Sequence, residues 1–161
     1  GHSERRHIIG ESNSLIHQKV HAALDASLLA VLCVGETLEQ RNNGQTEMIL
    51  EQQLLAGLTG VSEKQLLSVT VAYEPVWAIG TGKTATPDQA EEAHAHLRKL
   101  ITERYNTDSS DLVRVLYGGS VKPENASELM SQTNVDGALV GGASLYVDSF
   151  IGIIDALIQD S

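Results

Sequence analysis

Glu74 closes an apolar run over residues 67–73 and is followed by Pro75-Val76-Trp77. A carboxylate at the end of an apolar strand is partly stripped of water, which raises its pKa toward that of a useful general base. A lone Glu at a strand end is also commonly an ordinary surface residue. Two glycine pairs close other apolar runs: Tyr117-Gly118-Gly119-Ser120 and Val140-Gly141-Gly142-Ala143-Ser144. Without a Cβ in the way, backbone N–H groups can approach a ligand, and a helix start after such a loop adds a positive dipole end. Loops of this kind hold phosphate without basic side chains. One pair fits a tight turn equally well; two on consecutive strands favour the phosphate reading.

The loop 78–85 (Ala-Ile-Gly-Thr-Gly-Lys-Thr-Ala) is Gly-rich, carries an exposed-looking Ile79, and reads as a lid whose closure excludes water. An ordinary flexible connection has the same composition. Its Gly82-Lys83-Thr84 resembles the end of a nucleotide-binding P-loop, but that motif needs a glycine five positions before Gly82, and Trp77 stands there. His17 and His21 are four apart on a helical stretch, a zinc-capable spacing, but no Glu adjoins His17 and a solvated face explains the pair. His94 and His96 read as surface residues. His2 lies in the polar segment Gly1-His2-Ser3-Glu4-Arg5-Arg6, ahead of a helix. Cys33 ends a buried strand and reads as a packed thiol with no activating neighbour.

These residues depend on an alternating scaffold. Apolar runs at 29–34, 67–73, 112–117 and 137–140 predict strands, the first buried on both faces. Helical spacing predicts helices over 13–26, 46–58, 87–104, 123–131 and 147–158, the last through Phe150, Ile151, Ile154, Leu157 and Ile158. Thr86-Pro87 places a cap residue and a first-turn Pro at the start of the third. Strand–helix alternation means parallel strands with covering helices. A doubly wound sheet and part of a (β/α)8 barrel both fit, and in either the strand ends share the face that holds the site.

The 161 residues match one domain, and 42% hydrophobic with only 4% aromatic residues implies an aliphatic core. Eleven basic against 21 acidic residues, a net −10, argue against a nucleic-acid or acidic-membrane binder. A single cysteine permits no intrachain disulfide and fits a reducing compartment. No apolar run approaches a membrane span or a signal segment, so a soluble, cytoplasmic protein is expected.

Five ordered motifs resemble the triosephosphate isomerase family: Gly1–Arg6, Cys33-Val34-Gly35-Glu36-Thr37, the stretch Ala72 to Gly82, Tyr117–Val121 and Leu139–Leu145. The resemblance implies interconversion of glyceraldehyde 3-phosphate and dihydroxyacetone phosphate through an enediolate. Glu74 would be the catalytic base and neutral His2 the group that polarises the carbonyl. Backbone N–H groups of Gly80, Ser120, Gly141 and Gly142 would bind the phosphate, and residues 75–85 would close over it, received by Tyr117 and Ser120. The family needs no cofactor or metal and acts in glycolysis and gluconeogenesis, in the cytoplasm, as a homodimer.

A complete barrel of this type has ~250 residues. The resemblance therefore implies that 1–161 is the C-terminal part of a single TIM-barrel domain, strands five to eight with their helices. It would lack the family's first-loop Asn–Lys pair, its dimer-contacting third loop and the Lys that Glu4 faces. Such a piece is expected to be inactive and prone to aggregate, with open sheet edges. Two other classes compete. A non-catalytic sugar-phosphate-binding module would need neither Glu74 nor His2, and a P-loop NTPase conflicts with Trp77.

Overall fold

A computed structural model describes residues 1–158, apart from the side chain of Leu157. Helices α1 (Ser3–His7) and α2 (Asn13–Asp25) precede strand β1 (Ala30–Val34), which is followed by α3 (Leu38–Asn42), α4 (Thr46–Leu58) and α5 (Glu63–Leu66). Strand β2 (Val69–Tyr73) leads through a 3-10 turn, Val76–Ala78, to α6 (Pro87–Arg104) and α7 (Thr107–Leu112). Strand β3 (Val115–Tyr117), α8 (Pro123–Met130), a second 3-10 turn (Gly142–Leu145) and α9 (Val147–Ile158) complete the order. Among the described residues no helix is long and apolar enough to cross a membrane.

The three strands are parallel and lie in sequence order β1-β2-β3, with Leu32 opposite Val71 and Val71 opposite Val115. A doubly wound sheet reverses its strand order at a switch point; no reversal occurs here. The expected fourth strand, 137–140, is reduced to a single bridge between Tyr117 and Ala138. The Leu139 amide donates to Tyr117 O at 2.9 Å, and Tyr117 N donates to Gly137 O at 2.9 Å. The pairing ends there because β3 is short and the chain turns away into the segment Gly142–Leu145.

Local chemistry sets the helix starts. Thr86 caps α6 by accepting from Gln89 N while the Gln89 side chain returns to Thr86 N, with Pro87 in the first turn. Thr37 with Gln40 and Ser62 with Gln65 form the same reciprocal cap and start α3 and α5. Leu50, Leu54 and Leu58 of α4, with Leu97 and Ile101 of α6, pack fully buried against Leu32, Val69, Val71 and Val115 of the sheet.

Two expectations need correction. Strand β1 is buried on both faces only at its C-terminal end: Leu32, Cys33 and Val34 are buried, but Val31, on the same face as Cys33, is 49% exposed. Its continuous apolar run therefore means burial on both faces toward the site, and not along the whole strand. His94 is not on the surface either. It is fully buried on α6, its ring perpendicular to Tyr73 at 5.8 Å and tilted against Tyr117 at 6.3 Å. Its Nδ1–H donates to Asn134 O at 3.2 Å. His17 and His21 stack edge to face, and His21 Nε2 lies 2.7 Å from Thr59 O, which ties that pair to the loop after α4.

Burial lowers the His94 imidazole to about 4 from the usual 6.5. The unfolded chain therefore binds a proton that the folded chain refuses. The stability this confers is complete above about pH 6.5 and is lost as the pH falls toward 4, at most roughly 3 kcal/mol. Urea unfolding of wild type and His94→Leu at pH 7 and pH 4.5 should show a smaller pH-dependent drop in the variant. Equal drops would contradict a neutral, buried His94.

Candidate active site

The C-terminal ends of the strands open on one face and lock to each other beyond the regular ladder. Glu74 N donates to Val34 O at 2.7 Å, and Gly118 N donates to Tyr73 O at 2.7 Å. Glu74 is thereby held between the ends of β1 and β3, only 3% exposed. Its Oε2 accepts the Ser3 amide at 2.7 Å, and its Oε1 lies 3.2 Å from His2 Nε2.

The other histidine nitrogen defines the tautomer. His2 caps α1, with Nδ1 accepting the Glu4 amide at 3.3 Å. A nitrogen that accepts carries no proton, so neutral His2 holds its hydrogen on Nε2 and donates it toward Glu74. Arg6 fixes the segment in place: its guanidinium donates to Cys33 O at 2.8 Å, to Gly1 O at 2.8 Å and to Asn13 Oδ1 at 2.7 Å. Burial lowers the Arg6 pKa from its ordinary value.

A second buried carboxylate, Glu36, anchors the start of the loop 75–85, the segment expected to close. Its Oε1 accepts from Trp77 Nε1 at 2.9 Å, from the Tyr73 hydroxyl at 3.1 Å and from Arg41 at 3.2 Å. The Arg41 guanidinium also lies over the Trp77 ring, 5.1 Å from its centroid. Burial pushes the Tyr73 hydroxyl up. From this anchor the chain runs through Ile79, which is half-buried rather than exposed, to the exposed residues Gly80–Thr84. Gly80 and Gly82 adopt φ of +66° and +79°, which favours glycine at both.

A cleft of about 930 Å³ brings together His2, Glu74, Gly80, Ser120, Gly141 and Gly142. Glu4 and Tyr117 lie outside it. Glu4 is exposed and contributes only its amide to His2. Tyr117 is fully buried beneath the Gly118–Gly119 turn, its hydroxyl pushed up to about 12 by burial, with the Ala85 backbone acting in the opposite direction. The two glycine pairs differ. A Cβ on Gly118 would come within 2.8 Å of Glu74 Cγ, and one on Gly119 within 2.2 Å of the Tyr117 hydroxyl. That pair makes room for packed side chains. The Gly118 amide is bonded within the sheet, and the Ser120 amide donates to Ala78 O at 3.0 Å. Gly141 and Gly142 have open space where a Cβ would stand, and among the described residues their amides have no acceptor.

A family model described as Triosephosphate isomerase matches residues 1–157. The chain is similar to the triosephosphate isomerase of Rhodopirellula baltica, 53% identical over 156 residues, covering 97% of this chain and 61% of that protein. It is 54% identical over 154 residues to that of Carboxydothermus hydrogenoformans, covering 96% and 61%. With that of Herminiimonas arsenicoxydans it shares 51% over 156 residues, covering 97% and 62%. The chain thus spans about 61% of the length of the curated relatives it matches first.

Cys33 sits at the end of β1 against this site, 5% exposed, its thiol pushed up to about 12 by burial and then by Glu74. A thiol reagent at pH 8 should therefore label native protein far more slowly than urea-unfolded protein. Equal rates would contradict the packing of Cys33 against Glu74.

Proposed function

The chain belongs to the triosephosphate isomerase family, and we propose that the complete protein of which these residues form part interconverts glyceraldehyde 3-phosphate and dihydroxyacetone phosphate. The observation that carries this reading is one buried carboxylate, Glu74, bonded to the Ser3 amide and facing a histidine whose proton is held on Nε2. A glutamate base beside a neutral histidine is the arrangement already known for this enzyme family. A module that only bound sugar phosphates would have no need to keep a carboxylate dehydrated beside an imidazole.

Glu74 removes a proton from the carbon next to the substrate carbonyl, and the electron pair of that C–H bond forms the enediolate. His2 Nε2–H donates to the oxygen on which negative charge develops. Glu74 then returns the proton to the former carbonyl carbon, while His2 Nε2 gives its proton to the former carbonyl oxygen and takes the one from the neighbouring hydroxyl, which becomes the new carbonyl, giving the isomer. The reaction moves hydrogen within one molecule and leaves substrate and product at the same overall oxidation level, so it consumes no redox partner. Gly141 and Gly142 offer amides to the phosphate, with Gly80 joining when residues 75–85 close. Ser120 can add its own amide only if closure draws Ala78 O away; until then its hydroxyl is the available group. Closure excludes water, which protects the enediolate from losing phosphate.

The family reading extends to a (β/α)8 barrel in which β1, β2 and β3 are the fifth to seventh strands and the segment 137–140 the eighth, and to a homodimer acting in glycolysis in the cytoplasm. The sequential parallel order of β1-β2-β3 supports the barrel. The 161 residues alone would turn over little substrate. Phe150, Ile151 and Ile154 of α9 are exposed, and the outer edge of β1 has no strand beside it among the described residues. Both need covering before the site is rigid.

In the full-length protein, Glu74→Gln should lower kcat by about 10²–10⁴-fold while the affinity for inorganic phosphate stays close to wild type. His2→Ala should also lower kcat. Wild-type kcat in either variant would remove that residue from the chemistry. In a coupled isomerase assay residues 1–161 should show almost no turnover, and near-native turnover would refute the need for further chain.

A further inference from the structure

His17 and His21 on α2 do not line the cleft and have no part in the steps ascribed to Glu74. Ile16, Val20 and Leu24 bury the inner face of that helix. His17 and His21, each one residue further on, lie half-buried at the rim of that face. Their spacing of four puts both on one side of the helix, where the Cβ atoms of such a pair are ~5–6 Å apart. A purely solvated face would leave the two rings to move independently. Here they meet, with centres 4.5 Å apart and planes at 62°. No other two of the six histidines are four residues apart.

The His21 ring is held as a metal ligand needs to be held. Its Nε2 lies 2.7 Å from Thr59 O, and a carbonyl oxygen only accepts, so the neutral ring carries its hydrogen on Nε2 and its lone pair on Nδ1. A histidine that binds a metal characteristically donates its other ring N–H to a carbonyl or carboxylate, which sets the tautomer and orients the ring. The loop after α4 comes this close because residue 60 is glycine: a Cβ there would stand 3.4 Å from His21 Cε1, and its φ is +75°. His17 is the adaptable partner. Its Nδ1 is buried with no hydrogen-bond partner among the described residues. Turning that ring therefore breaks no bond at Nδ1 and takes an unpaired polar atom out of a dry place.

We propose that His17 and His21 together bind one divalent transition-metal ion through one nitrogen of each ring. Two imidazoles joined to one metal by bonds of ~2.1 Å at about right angles have centres roughly 4.5 Å apart, and a tetrahedral angle spreads them to about 5.3 Å. The observed spacing matches the right angle, which is the preference of Cu2+ and Ni2+ in tetragonal sites, and imidazole suits both ions. Among the described residues no third His, Cys, Asp or Glu completes a cluster, so water fills the other positions and the ion exchanges readily. Bound there, the ion ties α2 more firmly to the Thr59 loop, because it holds the His21 ring whose Nε2–H reaches Thr59 O.

The test uses the full-length protein with nickel chloride as the probe. Wild type, His17→Gln, His21→Gln and the double variant are titrated by calorimetry, with far-UV circular dichroism confirming that each is folded. Wild type should bind one equivalent of Ni2+ at least about tenfold more tightly than either single variant, because the second ring binds within the same molecule. The double variant should be no weaker than the single ones, since one ring alone cannot chelate. Equal affinity in wild type and either single variant would overturn the proposal. Losses that add across the two positions would also overturn it, because they mark two separate single-histidine contacts. In the wild type itself, paramagnetic Ni2+ should broaden the NMR signals of residues around His17 and His21 before all others, and broadening centred elsewhere would defeat the assignment without recourse to any variant. No turnover is measured, so the outcome is independent of the isomerase reading.

Discussion

A carboxylate that is only 3% exposed has lost most of its hydration, and the fold around Glu74 is arranged to replace it. The Ser3 amide and the His2 ring supply two donors from the first turn of α1. That turn stays in place because Arg6 bonds back to the end of β1. The strand ends then hold the Glu74 backbone from both sides, through Val34 O and through the bond from Gly118 N to Tyr73 O. Gly118 has no side chain because Glu74 occupies that space. Placing one charge in a dry position thus accounts for α1, the Arg6 clamp and one of the two glycine pairs.

The proposed lid, residues 75–85, is coupled to the same frame through a second buried carboxylate, Glu36. Glu36 leaves the end of β1 and receives Tyr73 from β2 and Trp77 from the first turn of the lid. A fully buried carboxylate with several donors holds a rigid geometry, since losing any of them would leave charge uncompensated. The start of the proposed lid is therefore fixed by Glu36, while residues 80–84 beyond it are exposed. Ser120 joins the two regions, because its amide holds Ala78 O where buried chain passes into exposed chain.

Much of this arrangement was legible in the residues, for physical reasons. Apolar runs ending in Glu74, Gly118 and Gly141 marked strand ends, and parallel strands bring their ends to one face, so His2, Glu74, Gly80, Ser120, Gly141 and Gly142 do line one cleft. What was not legible depends on partners distant in sequence. His94 looked like a polar helix residue, and only the rings of Tyr73 and Tyr117 and the Asn134 carbonyl make its burial tolerable. Arg6 and Glu36 act through carbonyls and rings brought near by folding. Gly118-Gly119 and Gly141-Gly142 look alike in sequence, and only the space beside each shows that the first pair relieves crowding and the second is open. The short helices α3 and α5 did have a local signal, the spacing of Thr37 with Gln40 and Ser62 with Gln65.

Net charge and local charge also separate in this molecule. A total of −10 says how the protein behaves toward large polyanions, whose many phosphates sample the whole surface. A single phosphate monoester samples one cleft, where screening confines the relevant charges to those within about 10 Å at 0.1 M salt. At that scale the Gly141 and Gly142 amides, which find no acceptor among the described residues, can hold a phosphate despite distant carboxylates. The carboxylate proposed as the base makes such local compensation necessary: a base must be negative to take a proton, and Glu74 lies in the same cleft as the site proposed for a dianion. Keeping Glu74 buried behind His2 and Ser3 lets the two negative groups share the cleft without meeting directly.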